Sequence, residues 1–172
     1  MRAADRESFT EFVTVKRASL VRSSYLLCGD HQLAEDLVQT ALVKAVGAWR
    51  RIADNPEPWL RRVIVNDHIS RWRRHRGREA LVDHVPEVAT TDEPEVALAL
   101  EAALASLAPR QRAVIVLRYY EDLTERQTAE LLRVSVGTVK SQARDALQRL
   151  RERVPGLEVD EQVTAAAPPR PR

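Results

Sequence analysis

The sequence predicts an all-α protein made of two small helical domains joined by a flexible acidic linker. Three observations carry that expectation. Apolar residues recur at helical spacing in both halves, and no segment alternates with the period of two that a half-buried strand requires. Only 5 glycines occur in 172 residues, too few for an all-β chain rich in tight turns. Between the halves, residues 83–95 hold five carboxylates, two prolines and no Lys or Arg, and helical periodicity is lost there. The expected boundaries are a first domain over 5–78, a linker over 79–96, a second domain over 97–154 and a disordered tail over 155–172.

In the first domain, Phe9, Phe12, Val13, Leu20 and Leu27 mark one helix. Cys28-Gly29-Asp30 then supplies a glycine stop and an aspartate start. The second helix places Leu33, Leu37, Val38, Ala41, Ala45 and Trp49 on one stripe. Outside that stripe lie Glu35, Asp36, Gln39, Thr40 and Lys44, which by composition alone form a solvated face. Asn55-Pro56-Glu57-Pro58 breaks the pattern, because two prolines so close do not fit a helix interior. A third helix follows, with Trp59, Leu60, Val63, Ile64 and Ile69 as apolar positions. The second domain reads as helices from near Val96 to Leu107, then over about 109–120, 124–132 and 136–153.

Charge and composition narrow the function. Lys plus Arg number 27 against 25 Asp plus Glu, so any nucleic-acid site must come from local clustering. Residues 1–12 contain no apolar core of a signal peptide, and no apolar run reaches the roughly 18 residues of a membrane span. The lone Cys28 excludes an internal disulfide framework. Together these features point to a cytoplasmic protein.

Residues 123–150 carry the sharpest local signal. Thr124 and Gln127 form a capping box, and Leu123 just outside it is placed to act as a hydrophobic staple. Ala129 is small where a second helix would cross, and Ser135 suits an N-cap. Along the last helix Val136, Val139, Ala143, Leu147, Leu150 and Val154 share one face. Opposite stand Thr138, Ser141, Arg144, Asp145 and Gln148, with Lys140 at the flank. This is a helix-turn-helix whose polar face has the chemistry to enter a major groove. Two features depart from the usual pattern: Arg133 stands in the turn where glycine is common, and Thr128 occupies a position more often apolar.

A second cluster lies between Arg61 and Arg78, where seven arginines interleave with His68, Trp72 and His75 just after Trp59. Five of the eight residues from 71 to 78 are arginine, a density that packing does not explain. Such guanidinium groups bind phosphates, and neighbouring indoles can stack unpaired bases. Trp72 itself, by its register, reads as core. No phosphate-binding glycine loop, metal-ligand spacing or isolated catalytic constellation appears, so no enzyme, cofactor or metal site is expected.

Two DNA-binding regions and an acidic linker, in this order, resemble the extracytoplasmic-function (ECF) sigma factors, the promoter-recognition subunits of bacterial RNA polymerase. The matching stretches are YLLCGDHQLAEDLVQTALVKAVGAWRRI over 25–52, PWLRRVIVNDHISRWRR over 58–74, LAPRQRAVIVLRYYEDLTERQTAELL over 107–132 and SVGTVKSQARDAL over 135–147. The wording is closest to a short subgroup common in actinobacteria. The resemblance implies that Asp36, Gln39 and Thr40 dock on the clamp helices of core polymerase, with Thr40 standing where glutamate is frequent. It implies that the segment from Ile52 to Leu60, including Asn55 and Trp59, captures a flipped base of the minus-ten element. Asn66 belongs to the same surface, and Arg61, Arg62, Arg71, Arg73 and Arg74 bind phosphates at the upstream fork. Thr138, Lys140 and Ser141 read the minus-thirty-five element as duplex, with Arg144 and Asp145 on the same face. Asp145 departs from the family, which usually has a basic residue there. Acceptance from a cytosine amino group and repulsion of phosphate both remain open for it.

The implied partners are core RNA polymerase, promoter DNA and an antagonist of the anti-sigma type. Held by polymerase, two weak DNA-binding modules act bivalently. Element centres about 25 base pairs apart lie roughly 85 Å apart at 3.4 Å per pair. The segment from Ala80 to Val96 spans at most about 60 Å. Two domains adding roughly 15 Å each would close the gap. The alternative, a free-standing dimeric helix-turn-helix regulator, leaves the arginine cluster and the Asp36 face without a purpose.

Overall fold

A computed structural model describes residues 2–75 and 94–154, and the chain divides into two compact units, Met1–Glu87 and Val88–Arg172. Among the described residues there are seven α-helices and no strand. Most of the expected linker and the whole expected tail lie outside the described residues.

The first unit is built from α1 (Ala3–Cys28), α2 (His31–Ile52) and α3 (Pro56–His75). Gly29 ends α1 at φ 74°, a left-handed conformation that glycine adopts without steric cost, and its N–H donates to the Tyr25 carbonyl at 2.7 Å. One residue later the Asp30 carboxylate accepts from the Leu33 N–H at 2.7 Å and starts α2. The buried stripe of α2 is Ala34, Leu37, Val38, Ala41, Leu42, Ala45, Trp49 and Ile52. Trp49 is enclosed by Phe9, edge-on at 4.9 Å, and Phe12 at 5.5 Å, while its indole N–H donates to Ser8 Oγ at 2.9 Å. Truncating such a side chain to alanine costs about 3–5 kcal/mol.

The two prolines behave differently from the sequence expectation. Pro56 opens α3 and Pro58 lies in its first turn. Backbone N–H groups there have no acceptor within the helix, so a missing N–H costs nothing, and the fixed proline φ favours the turn. The prolines separate α2 from α3 by starting the second helix.

The second unit contains α4 (Pro94–Ala105), α5 (Pro109–Ile115), α6 (Glu125–Leu132) and α7 (Val136–Arg153). The expected single helix over 109–120 changes character at its end: Val116–Tyr120 forms a π-helical turn, with the Glu121 N–H donating to the Val116 carbonyl at 3.0 Å. Arg112 to Arg118 are all buried, so this segment is enclosed on every side and shows no amphipathic period that could betray the widened turn. The buried Arg118 guanidinium donates to the Leu123 carbonyl and holds the loop that precedes α6.

Candidate functional site

Three exposed surfaces bring the sequence-predicted residues together, two on the first unit and one on the second. The most regular is the helix-turn-helix of α6 and α7. Thr124 and Gln127 close the capping box from both sides: the Gln127 N–H donates to Thr124 Oγ1 at 3.2 Å, and the Thr124 N–H to Gln127 Oε1 at 2.8 Å. Arg133 ends α6 in the left-handed region at φ 55°, ψ 50°. The Val134 N–H then returns to the Ala129 carbonyl at 3.1 Å, and Ser135 Oγ accepts from the Thr138 N–H at 3.0 Å to start α7. Val114, Ala129 and Val139 form the buried cluster at the helix crossing, with Leu132, Val134 and Ala143 packed on it. Thr128 is also fully buried, and its hydroxyl finds no partner.

This packing leaves Arg144, Asp145 and Gln148 exposed, with Thr138 and Ser141 half-buried beside them. Thr138 and Ser135 share a hydroxyl hydrogen bond of 2.8 Å, and Ser141 Oγ donates to the Thr138 carbonyl at 3.1 Å. Lys140 is exposed and lies 3.5 Å from Glu125 of α6. Arg144 and Asp145 face each other at 3.4 Å, an exposed pair worth little energy but enough to lower the net charge at that point. Val136 departs from its expected place on the apolar stripe. The buried face of α7 starts at Val139, whereas Val136 and Gly137 stand exposed in the first turn.

On α3, Arg62, Asn66, Ser70, Arg73 and Arg74 are exposed and fall on one stripe, opposite the buried Leu60, Ile64, Val65, His68 and Ile69. The stripe runs about 18 Å at 1.5 Å per residue. Arg71 is half-buried on its flank, Asn55 is exposed ahead of the helix, and Trp59 is half-buried in its first turn. Arg61 stands apart from this group. Its guanidinium is 3.0 Å from Glu57, which also meets Lys16 of α1 at 2.7 Å. Burial opposes ionisation of Glu57, but the hydrogen bond from Lys16 and the charges of Arg61 and Lys16 outweigh it and hold the carboxyl below its usual range. This network ties the start of α3 to α1. Trp72, expected in the core, is 36% exposed: the buried stripe of α3 ends at Ile69.

The third surface is the outer face of α2. Asp36 and Gln39 are exposed and Thr40 is half-buried. The face continues through two apolar residues that sequence reasoning missed, Val43 at 62% and Val46 at 43% exposure. The spacing 36, 39, 43, 46 was available as a signal, since it repeats opposite the buried stripe. Neighbouring charges are paired across the unit: Glu35 with Arg17, and Lys44 with Asp67 at 2.7 Å. Asp36 is approached by the Gln32 amide at 3.4 Å.

Among the described residues no group of His, Cys, Asp and Glu could hold a metal ion, and no helix is long and apolar enough to cross a membrane. The chain matches the Sigma-70 region 2 family over residues 16–78 and the Sigma-70, region 4 family over residues 103–152. It is 39% identical over 158 residues to the RNA polymerase sigma-E factor of Streptomyces avermitilis, covering 88% of each chain. It is 32% identical over 153 residues to the ECF RNA polymerase sigma factor SigM of Mycobacterium tuberculosis, covering 86% of this chain and 78% of that one. Among solved structures, the sigma factor RpoE of Bartonella quintana, in complex with the anti-sigma factor NepR, superposes with a TM-score of 0.68 at 25% identity. The match covers 87% of this chain and 98% of that chain. CnrH, in complex with the cytosolic domain of CnrY, shares the fold with a TM-score of 0.61 at 23% identity, covering 86% and 87% of the two chains.

Proposed function

This chain belongs to the ECF family of RNA polymerase sigma factors, and on that footing we propose how its surfaces divide the work of promoter recognition. The outer face of α2, with Asp36, Gln39 and Thr40, docks on core RNA polymerase. The segment around Asn55 and Trp59 together with Asn66 takes the minus-ten element, and Arg62, Arg71, Arg73 and Arg74 engage its phosphates. Arg61 reaches DNA only by exchanging its bond to Glu57 for a phosphate. In the second unit, Thr138, Lys140, Ser141, Arg144 and Asp145 present to the minus-thirty-five duplex. The working domains are residues 5–78 and 97–154, with 79–96 connecting them.

The observation that carries this reading is that α3 and α7 each display a continuous polar or basic stripe directly opposite a buried one, in two separate units. Each stripe offers few contacts, so either unit alone binds DNA weakly. Fixing both on polymerase makes the second binding event intramolecular, which raises overall affinity by about 10²–10⁴-fold without new contacts. Trapping an unstacked base offsets the unpairing cost of a few kcal/mol and opens the duplex. The factor acts in the cytoplasm, carries no catalytic chemistry of its own, and offers its surface to an anti-sigma partner, the class of protein with which RpoE of Bartonella quintana forms its complex.

Assembly on core polymerase tests the reading. The full chain should co-migrate with purified core on a native gel, and the complex should bind a promoter at least 100-fold more tightly than the chain alone. A stable homodimer with nanomolar duplex affinity and no binding to core would overturn it.

A further inference from the structure

Near the middle of α7 the Asp145 carboxylate stands on the exposed face, beside the cation of Arg144. The buried residues of this helix are Val139, Ala146, Leu147 and Leu150. At about 100° per residue, Ser141 lies opposite their mean direction, with Gln148 about 20° to one side and Asp145 about 40° to the other. Arg144 lies about 60° away and Lys140 about 100° away, toward the edge of the face. In a helix seated in a major groove, residues opposite its core meet the base edges, and residues at its edges meet the phosphate walls. Lys140 is therefore placed for phosphate and Asp145 for a base.

The other polar groups of that face are already engaged within the helix. Thr138 and Ser135 share a hydroxyl hydrogen bond of 2.8 Å, and Ser141 Oγ donates to the Thr138 carbonyl at 3.1 Å. The Gln148 amide donates to Glu152 at 3.1 Å. Among the described residues the Asp145 carboxylate meets Arg144 alone, from Oδ1 to Nε at 3.4 Å, and the side chain stays 51% exposed. The guanidinium beside it offsets part of the repulsion that a carboxylate meets near DNA.

We propose that Asp145 selects a cytosine in the upstream promoter duplex, its carboxylate accepting a hydrogen bond from the cytosine N4 amino group. This inference rests on the reading of α7 as the helix that enters the minus-thirty-five element, and it names the base that one residue reads. An ionised carboxylate only accepts, and cytosine is the base that presents an amino donor to the major groove with no acceptor beside it. Adenine places N7, an acceptor that repels a carboxylate, next to its amino group, while guanine and thymine present acceptors. Phosphate repulsion, the other role open to Asp145 in the sequence, belongs to the edge of the face and not to its centre.

The test uses the full chain assembled on core polymerase, which selects from promoters with a randomised upstream duplex, and the bound DNA is sequenced. The wild-type chain should prefer cytosine at one position by roughly 5- to 150-fold, the range for one mismatched base pair. Asp145→Ala should flatten that position and leave the others unchanged. Asp145→Asn, whose amide both donates and accepts, should move the preference there to adenine. The side chain is exposed, so both variants should keep the wild-type circular dichroism spectrum. A cytosine preference absent from the wild type, or retained by Asp145→Ala, would overturn the proposal. So would tighter binding of every sequence by Asp145→Ala to the same degree, because that result assigns the carboxylate to phosphate repulsion. Lys140→Ala separates this inference from the reading beneath it, since loss of a phosphate contact should reduce the salt slope by about 1. If Lys140→Ala behaves so and Asp145→Ala leaves every base preference in place, only the cytosine contact falls. If no upstream position is preferred and neither variant has an effect, the DNA role of α7 falls with it.

Discussion

Replacing Arg133 by glycine should stabilise the second unit, because a side-chain-bearing residue is held there at φ 55°, ψ 50°. The left-handed region brings Cβ too close to the following carbonyl oxygen and costs about 1–2 kcal/mol. Glycine removes that clash but gains freedom in the unfolded chain, which returns up to about 1 kcal/mol of the benefit. The net gain is about 0.5–1 kcal/mol. Trp49, Trp59 and Trp72 all lie in the first unit, so tryptophan fluorescence is blind to this change. Amide hydrogen exchange across α6 and α7 reads it directly, and the best-protected amides should exchange about 2- to 5-fold more slowly. Arg133→Ala is the deciding control: it removes the charge and the long side chain while keeping the Cβ clash. Equal protection in the glycine and alanine variants would refute the role of backbone strain.

Thr128→Val should add about 1 kcal/mol, since the hydroxyl is fully buried without a partner and valine keeps its shape; chemical denaturation monitored by hydrogen exchange checks it. Glu57→Gln should lower the stability of the first unit at pH 7 by up to about 1 kcal/mol, read by tryptophan fluorescence in denaturant. The folded state depresses the Glu57 pKa, so its contribution is present above the unfolded value and is lost as pH falls through the folded one. The gap between wild type and variant should therefore close in acid, below about pH 4.3, and a gap that stays constant would contradict the ion network. Asp36→Arg should weaken assembly on core at least tenfold while leaving the circular dichroism spectrum unchanged, because the side chain is exposed. Lys140→Ala should lower promoter affinity and reduce the salt slope by about 1 in a titration against sodium chloride.

The helix-turn-helix was legible in the sequence because its determinants are local. Thr124, Gln127 and Ser135 hydrogen-bond within three residues of themselves, and Gly29 and Asp30 mark a helix boundary by the same short-range chemistry. The buried stripe of α2 was legible too, because the helix is enclosed on one face only and its period survives. What escaped depends on where neighbouring helices end or meet. Trp72 keeps the register of the α3 core, and nothing in the register tells that burial stops at Ile69. Arg61 reads as one more cation until Lys16, distant in sequence, fixes the carboxylate that Arg61 also binds. Val43 and Val46 were legible from their spacing with Asp36 and Gln39 opposite the buried stripe, but their apolar side chains disguise that exposed register. The π-turn at Val116–Tyr120 sits in a segment buried on all sides, where periodicity carries no information.

Promoter-directed initiation requires the two units to act together when polymerase holds them. Run-off transcription with purified core, on promoters selected from random DNA, measures that directly. The full chain should direct RNA from a defined start on selected templates, and Asp36→Arg or loss of residues 97–154 should each abolish it. Failure of the wild-type chain to direct any RNA from any selected template, with core active on another sigma factor, would contradict the account.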